Sequence, residues 1–284
     1  MRSIENILKK FTGQDLMDVE IILADILRQP KEFVLTHPEY HLNLIQRWHF
    51  KRAIQKYQSG YPVAYITGHK EFFGLDFLVN KHTLIPRPDT ELMVENALAV
   101  IAKNETIGQS PAILVDVGTG TGCIPITIAK KTTKKQLTIL AVDISLGALR
   151  VAKKNAKKHG VKINLIHGNL LNPFLNNTAL IPPNTELIVT ANLPYLTVEQ
   201  FEKEPSIKKE PRRAFVSDNN NGLKLYEELL KQVQKIQVQK IWIFLEIDPR
   251  QADAIEVIIK KYLPEAEIEI KKDLAERDRL VCIH

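Results

Sequence analysis

Asn192, Leu193, Pro194 and Tyr195 follow directly on the apolar run Leu187-Ile188-Val189-Thr190-Ala191. That run reads as a buried strand, which puts the four residues at a strand's carboxyl end. The Asn192 side-chain oxygen can accept one N–H bond, and the Leu193 backbone carbonyl can accept a second. Pro194 stiffens the turn, and the Tyr195 ring offers a flat face. Such a set suits gripping a planar NH2-bearing group, either a carboxamide or an exocyclic amine. An amide nitrogen is a poor nucleophile because its lone pair is delocalised into the carbonyl. Holding both N–H bonds favours turning that lone pair toward an electrophile. Asn192, Leu193, Pro194 and Tyr195 are therefore the candidate catalytic and substrate-binding residues.

The electrophile is indicated upstream. Gly118, Gly120 and Gly122 punctuate Asp116-Val117-Gly118-Thr119-Gly120-Thr121-Gly122, between a strand-like run and a helix-like run. Lacking Cβ atoms, such a loop lets backbone approach a ligand closely. By itself the spacing would also serve a dinucleotide or a tight turn. Two carboxylates narrow the choice. Asp116, just ahead of the first glycine, would repel a pyrophosphate but could hold an ammonium group. Asp143 ends the next strand, where an acidic side chain can accept bonds from ribose hydroxyls. A cofactor with an amino-acid end and a ribose but no phosphate fits both: S-adenosylmethionine. Asp116, Gly118, Thr119, Gly120, Thr121, Gly122 and Asp143 are its expected contacts. Asn169 would read the adenine edge and Leu170 would cover the adenine face. The combined expectation is methyl transfer to nitrogen, with no metal site.

The elements that must position these residues show in the hydropathy pattern. Apolar residues recur at helical spacing at Ile4, Ile7, Leu8 and Phe11, then at Leu16, Val19, Ile22, Leu23 and Ile26, and again from Leu42 to Tyr57. Ser3 and Asp15 are plausible N-caps, and Pro30 and Pro38 mark breaks. This predicts a helical domain over residues 1–59. Strand-like runs at Ala64 to Thr67 and Glu71 to Val79 predict a hairpin linker over residues 60–83. Pro86 and Pro88 flank Arg87 in a stiff segment, after which a helix runs through Ala102. Residues 84–284 then form the catalytic domain. Strands are expected at Ile113 to Val117, Leu137 to Val142, Ile163 to Ile166, Leu187 to Ala191 and Ile241 to Ile247. Helices are expected over about 123–131, 146–159 and 222–237. Such alternation predicts an α/β fold: a doubly wound, Rossmann-like, seven-stranded sheet. Its last two strands, near Ala266 to Ile270 and Leu280 to Ile283, would be antiparallel.

Bulk properties limit the function classes. With 44% hydrophobic and 25% charged residues the chain reads as an ordinary globular protein. Cys123 and Cys282 are too few for a disulfide framework, which predicts a reducing compartment. The amino-terminal residues do not resemble a signal peptide, and no apolar run approaches a membrane span. The expected address is the cytoplasm. A formal charge of +6 permits a phosphate-rich partner without requiring one. Lys130-Lys131 with Lys134-Lys135, and Lys153-Lys154 with Lys157-Lys158, lack interleaved aromatics and read as solvated helix faces.

Several of these segments resemble the release-factor glutamine methyltransferases, the PrmC/HemK family. The most specific is Leu84-Ile85-Pro86-Arg87-Pro88-Asp89-Thr90-Glu91. Pro62 to Gly68, Asp116 to Gly122, Asn192 to Tyr195, Glu210-Pro211-Arg212, Gly222 to Tyr226, Leu245-Glu246-Ile247 and Arg277-Asp278-Arg279 join it. The resemblance implies S-adenosylmethionine-dependent methylation of the glutamine side-chain amide in the Gly-Gly-Gln loop of class 1 peptide release factors, by a monomer with no direct nucleic-acid substrate. It places cofactor contacts at Gly118 to Gly122, Asp143, Asn169-Leu170 and Asn192, and substrate contacts at Asn192 to Tyr195. The chain departs from the family pattern at Leu193, commonly proline; at Asn169-Leu170, often Asp-Trp; and at Asp248, commonly glycine. Asn-Leu-Pro-Tyr also resembles the ribosomal RNA adenine dimethylases. Adenine N6 methylation of RNA or DNA is therefore the alternative, although those enzymes usually carry their extra domain after the catalytic one.

Overall fold

The computed structural model describes residues 3–103, 111–132, 137–217 and 221–284, so Lys134 and Lys135 lie outside the described residues. The chain divides into two compact units, Met1–His69 and Lys70–His284.

The first unit is helical: α1 (Ile4–Leu8), α2 (Gly13–Leu27), α3 (Lys31–Thr36), α4 (Leu44–Gln58) and α5 (Val63–Thr67). Ser3 caps α1 through a bond from the Asn6 amide. Asn43 and Gln46 form a reciprocal capping box on α4, satisfying two backbone donors that the helix start leaves free. Asp15 is not a cap. Helix α2 starts two residues earlier, with Thr12 at the N-cap position, and Asp15 lies in its first turn, where the helix dipole favours a carboxylate. Ile4, Ile7, Val19, Leu23, Leu27, Val34 and Leu42 form the core, as the helical spacing predicts. Ala64 to Thr67 is not a strand but part of α5. Pro62 stands at its N-cap, and Gly68 ends it in the left-handed conformation, so the prolyl and glycyl punctuation encloses one helical turn.

A hairpin follows, β1 (His69–Phe72) and β2 (Leu75–Leu78). Its two turn residues, Phe73 and Gly74, both have positive φ, as a two-residue type I′ connection requires. Beyond it come α6 (Glu91–Lys103), β3 (Ala112–Val117), α7 (Cys123–Lys131), β4 (Leu137–Asp143), α8 (Leu146–His159), β5 (Asn164–His167), α9 (Asn172–Asn176) and β6 (Glu186–Ala191). Helices α10 (Val198–Lys203) and α11 (Lys224–Val233), strand β7 (Lys240–Glu246), helix α12 (Ala252–Tyr262) and strands β8 (Ile268–Lys272) and β9 (Asp278–Ile283) complete the chain. Helix α11 starts later than the pattern suggested because Gly222 has φ +74° and Leu223 is not helical, and it ends at Val233 rather than near residue 237.

The sheet order is β5-β4-β3-β6-β7-β9-β8. The first five strands are parallel, and β9 runs antiparallel between β7 and β8. This is the expected doubly wound, seven-stranded Rossmann-like sheet with its antiparallel close. Every residue of β3 and β6 is buried, as strands covered by helices on both faces must be. The register sets the site. Val117 pairs with Val142 on one side and with Ala191 on the other. Gly118, Asp143 and Asn192 therefore leave the sheet side by side, where the winding direction reverses between β3 and β6 and a ligand crevice forms.

Candidate active site

The glycine loop is tied down at both ends. The amides of Gly118 and Thr119 donate to the Val142 carbonyl at 2.9 and 3.1 Å, and Gly122 N donates to Thr119 O at 2.8 Å. Gly118, Gly120 and Gly122 all have positive φ. A Cβ at Gly122 would meet the Ile126 and Ala152 side chains at 2.9 and 3.2 Å, so only glycine lets α7 and α8 close around the loop. Asn155, fully buried on α8, donates to the carbonyls of Thr121 and Leu78 and accepts from Leu78 N, joining the loop to the hairpin.

Asp143 Oδ2 accepts from Gly120 N at 2.9 Å and Oδ1 from Ser145 N at 2.7 Å. The cap of α8 is Ser145 itself, which accepts from Ala148 N. Burial raises the Asp143 pKa, opposed by those two amides and by Arg213 and His167. Asp116 is 1% exposed. Thr190 Oγ1 donates to its Oδ1 at 2.7 Å, and Oδ2 has no hydrogen-bond partner. Burial pushes its pKa up to about 6, against the pull of the Thr119 and Thr190 hydroxyls.

A cavity of about 700 Å³ opens at these strand ends, within the size range of small-ligand sites. It brings together Gly118, Thr119, Gly120, Thr121, Asp143, Asn169, Leu170, Asn192, Leu193 and Pro194. Asp116, Gly122 and Tyr195 are outside its lining: Asp116 is buried at the root of the loop, Gly122 carries the helix packing, and Tyr195 packs on the core. Leu170 is held at φ +49°, an unusual conformation for a leucine, at the wall of the cavity.

Asn192 Nδ2 donates to Thr90 Oγ1 at 3.1 Å, and Thr90 Oγ1 donates to Glu246 Oε2 at 2.7 Å. Leu193 N donates to the Tyr226 hydroxyl at 3.1 Å. The Leu193 carbonyl lies 3.3 Å from that hydroxyl, whose single hydrogen has a nearer acceptor in the Glu246 carbonyl. Gln251 Nε2 donates to the carbonyls of Tyr195 and Asn221 at 2.8 and 2.7 Å. Asp248, the residue without an evident role in the sequence, caps the short turn Pro249–Gln251 and receives the Arg250 guanidinium. It thereby orders the glutamine that holds Tyr195.

Sequence reasoning assigned no site role to Thr90, Glu210, Tyr226, Glu246 or Gln251. Glu210 accepts from Ile85 N at 2.9 Å and pairs with Arg87, fixing the proline-rich segment at the cavity edge. Glu246 was detectable as a carboxylate within the otherwise apolar run Ile241 to Ile247.

Residues 1–68 match the PrmC N-terminal domain and residues 96–185 the Methyltransferase small domain. The chain is 31% identical over 271 residues to the release factor glutamine methyltransferase of Bacillus anthracis, covering 95% of this chain and 92% of the relative. It is 34% identical over 239 residues to that of Bacillus subtilis, covering 83% and 79%. The chain belongs to the release factor glutamine methyltransferase family. Among solved structures, the hMettl16 catalytic domain in complex with MAT2A 3'UTR hairpin 6 superposes with a TM-score of 0.54 at 16% identity, covering 78% of this chain and 79% of that one. That likeness shows the shared methyltransferase fold alone. The Leu193 side chain is buried against Gly118, where an added Cβ would stand 3.1 Å from Leu193 Cδ2.

Proposed function

We propose that this chain transfers a methyl group from S-adenosylmethionine to the side-chain nitrogen of the glutamine in the Gly-Gly-Gln motif of class 1 peptide release factors. The observation that carries this reading is the shared register of Gly118, Asp143 and Asn192 on one cavity wall. The relatives' names support the same substrate and do not favour adenine methylation.

The residues fit the cofactor. The unpartnered Oδ2 of Asp116 supplies negative charge behind the glycine loop, where an ammonium group would be met. Asp143 offers its remaining lone pairs to ribose hydroxyls, and Asn169 and Leu170 offer an edge and a face to adenine. When bound, S-adenosylmethionine supplies an electrophilic methyl on a sulfonium sulfur.

With its amide nitrogen given to Thr90, Asn192 keeps Oδ1 for one substrate N–H. The Leu193 carbonyl accepts the other. Pro194 sets the turn between these acceptors and Tyr195, whose backbone Gln251 holds. The nitrogen's proton passes to water. Catalysis is mainly positioning, which can supply ~7–11 kcal/mol.

The helical unit serves as the docking element for the release factor. Leu44, Ile45 and Trp48 on α4 are 78%, 69% and 53% exposed, an apolar set with no core to fill. Trp48→Ala should raise KM for release factor and leave kcat unchanged; an unchanged KM removes the docking role. The same reading has the reaction in the cytoplasm and the enzyme a monomer.

Purified release factor and labelled cofactor test the reaction, with the modified residue mapped by mass spectrometry. A methyl on the motif glutamine is expected. A labelled nucleotide, or an unmodified glutamine, would overturn the reading.

A further inference from the structure

Thr90 stands between two groups on neighbouring strand ends, Asn192 after β6 and Glu246 at the end of β7. Its hydroxyl has one hydrogen, which goes to Glu246 Oε2 at 2.7 Å. Toward Asn192 it can then only accept, and it does so from Nδ2 at 3.1 Å. The carboxamide is thereby oriented: its nitrogen is committed to Thr90, and its oxygen is left for the cavity that Asn192 lines. We infer that Thr90 and Glu246 form a positioning pair that decides which end of the Asn192 carboxamide meets the substrate, and that the charge on Glu246 sets the direction of the chain. This rests on the reading of Asn192 as the acceptor of a substrate N–H.

An ionised Glu246 can only accept, which forces the sequence of donors just described. A protonated Glu246 can donate to Thr90 Oγ1. The threonine hydrogen is then free to be given to Asn192 Oδ1, turning the amide over. The cavity would face an NH2 group, a donor against the substrate's donors, and the grip would be lost.

Glu246 is suited to such a change. It is 2% exposed, and burial pushes its pKa up to about 7. Asp89, in the segment before α6, adds to the rise, while Thr90, Asn192 and the Arg279 guanidinium on β9 oppose it. Arg279 is divided between Asp89 and Asp273, at 3.3 and 3.2 Å. The other titratable groups facing Glu246 are Tyr195, Tyr226 on α11 and Cys123 on α7. All three are pushed up by burial, Cys123 to about 12, and stay neutral near pH 7. Glu246 is thus the member of the cluster whose charge changes there.

The test compares wild type, Glu246→Gln, Thr90→Val and Thr90→Ser. The readouts are single-turnover methylation of full-length release factor at saturating cofactor from pH 5.5 to 8.5, and 15N NMR of the Asn192 side-chain amide, assigned by its loss in Asn192→Ala. In wild type the rate should fall about tenfold per pH unit below about 7, and the Asn192 amide signals should shift with the same midpoint. Glu246→Gln should abolish both the acid limb and the shift. Thr90→Val should lower kcat at least tenfold with little change in cofactor affinity, and Thr90→Ser should restore it. An acid limb that persists unchanged in Glu246→Gln, or full kcat in Thr90→Val, overturns the pair's role. Amide signals that titrate in wild type and not in Glu246→Gln support it even with no methyl on the release factor, an outcome that would sink the substrate assignment alone.

Discussion

Gly222 and the Tyr195 carbonyl oxygen approach so closely that a Cβ at position 222 would stand 1.9 Å from that oxygen and 2.6 Å from Gln251 Nε2. Gly222 also has φ +74°, which L side chains rarely adopt. The glycine therefore lets the segment before α11 press on the backbone of the proposed substrate grip. Gly222→Ala should displace Tyr195 and disturb the Gln251 bond. We expect a loss of roughly 2 kcal/mol in stability from strain and overpacking. Methylation should fall at least tenfold, because small misplacements of positioned groups are costly to rate. Chemical denaturation and a methylation assay check both; wild-type values in each would show that the turn yields freely.

Asn192→Ala removes the acceptor oxygen and leaves the Thr90 hydroxyl without its donor. Methyl transfer should fall by roughly 10²- to 10³-fold, the usual cost of deleting one precisely placed polar group at a reacting centre. Binding of S-adenosylmethionine, measured by calorimetry, should weaken much less. Full turnover by this variant would refute the assignment of the grip.

Leu193→Pro tests the position at which the chain departs from its family. The substitution deletes the N–H that donates to the Tyr226 hydroxyl at 3.1 Å. That hydroxyl still donates to the Glu246 carbonyl, so the loss should be about 1 kcal/mol of stability. The acceptor carbonyl at 193 remains, and activity should stay within about tenfold of wild type. A dead variant would mean that the loop needs its leucine in the pocket beside Gly118.

The two buried carboxyls set the pH response. Asp116 is raised to about 6 and Glu246 to about 7, against 3.8 and 4.5 for unperturbed groups. A raised carboxyl binds its proton more tightly in the folded state. Its contribution is complete below the ordinary pKa and is lost as pH climbs through the folded value. Each should cost the cofactor-free protein about 3 kcal/mol between about pH 4 and 8. Thermal melts should therefore show Tm falling from pH 5 to 8, and a flatter profile in Asp116→Asn. Cofactor affinity should follow the opposite course, strengthening by up to about tenfold per unit as Asp116 ionises below pH 6. Calorimetric titration showing no pH dependence would separate Asp116 from the cofactor.

Much of this was legible in the chain. Strand and helix alternation, the glycine loop before α7, and Asp143 and Asn192 at strand ends are local patterns, since each depends on the periodicity of one segment or on residues a few positions apart. The reading of Ala64 to Thr67 as a strand failed because four residues give too little periodicity to separate a helical turn from a strand; Pro62 and Gly68 decided it. Asp15 failed as a cap because the backbone closed its first helical turn earlier, at Gly13.

By itself, the sequence determined the doubly wound methyltransferase fold and the residues that would stand at the ends of β3, β4 and β6. Hydrophobic periodicity and glycine placement act over short stretches of chain and need no partner to be read. Only the tertiary structure decided which way those residues face. The bond from Thr90 to Glu246 spans 156 positions, and that from Asn192 to Thr90 spans 102. Gly222 meets Tyr195 across a loop, and Asp116 accepts from Thr190, 74 positions away. Hydrogen-bond direction is set by which donor and acceptor meet once the strands have paired, and that meeting exists only in the folded chain.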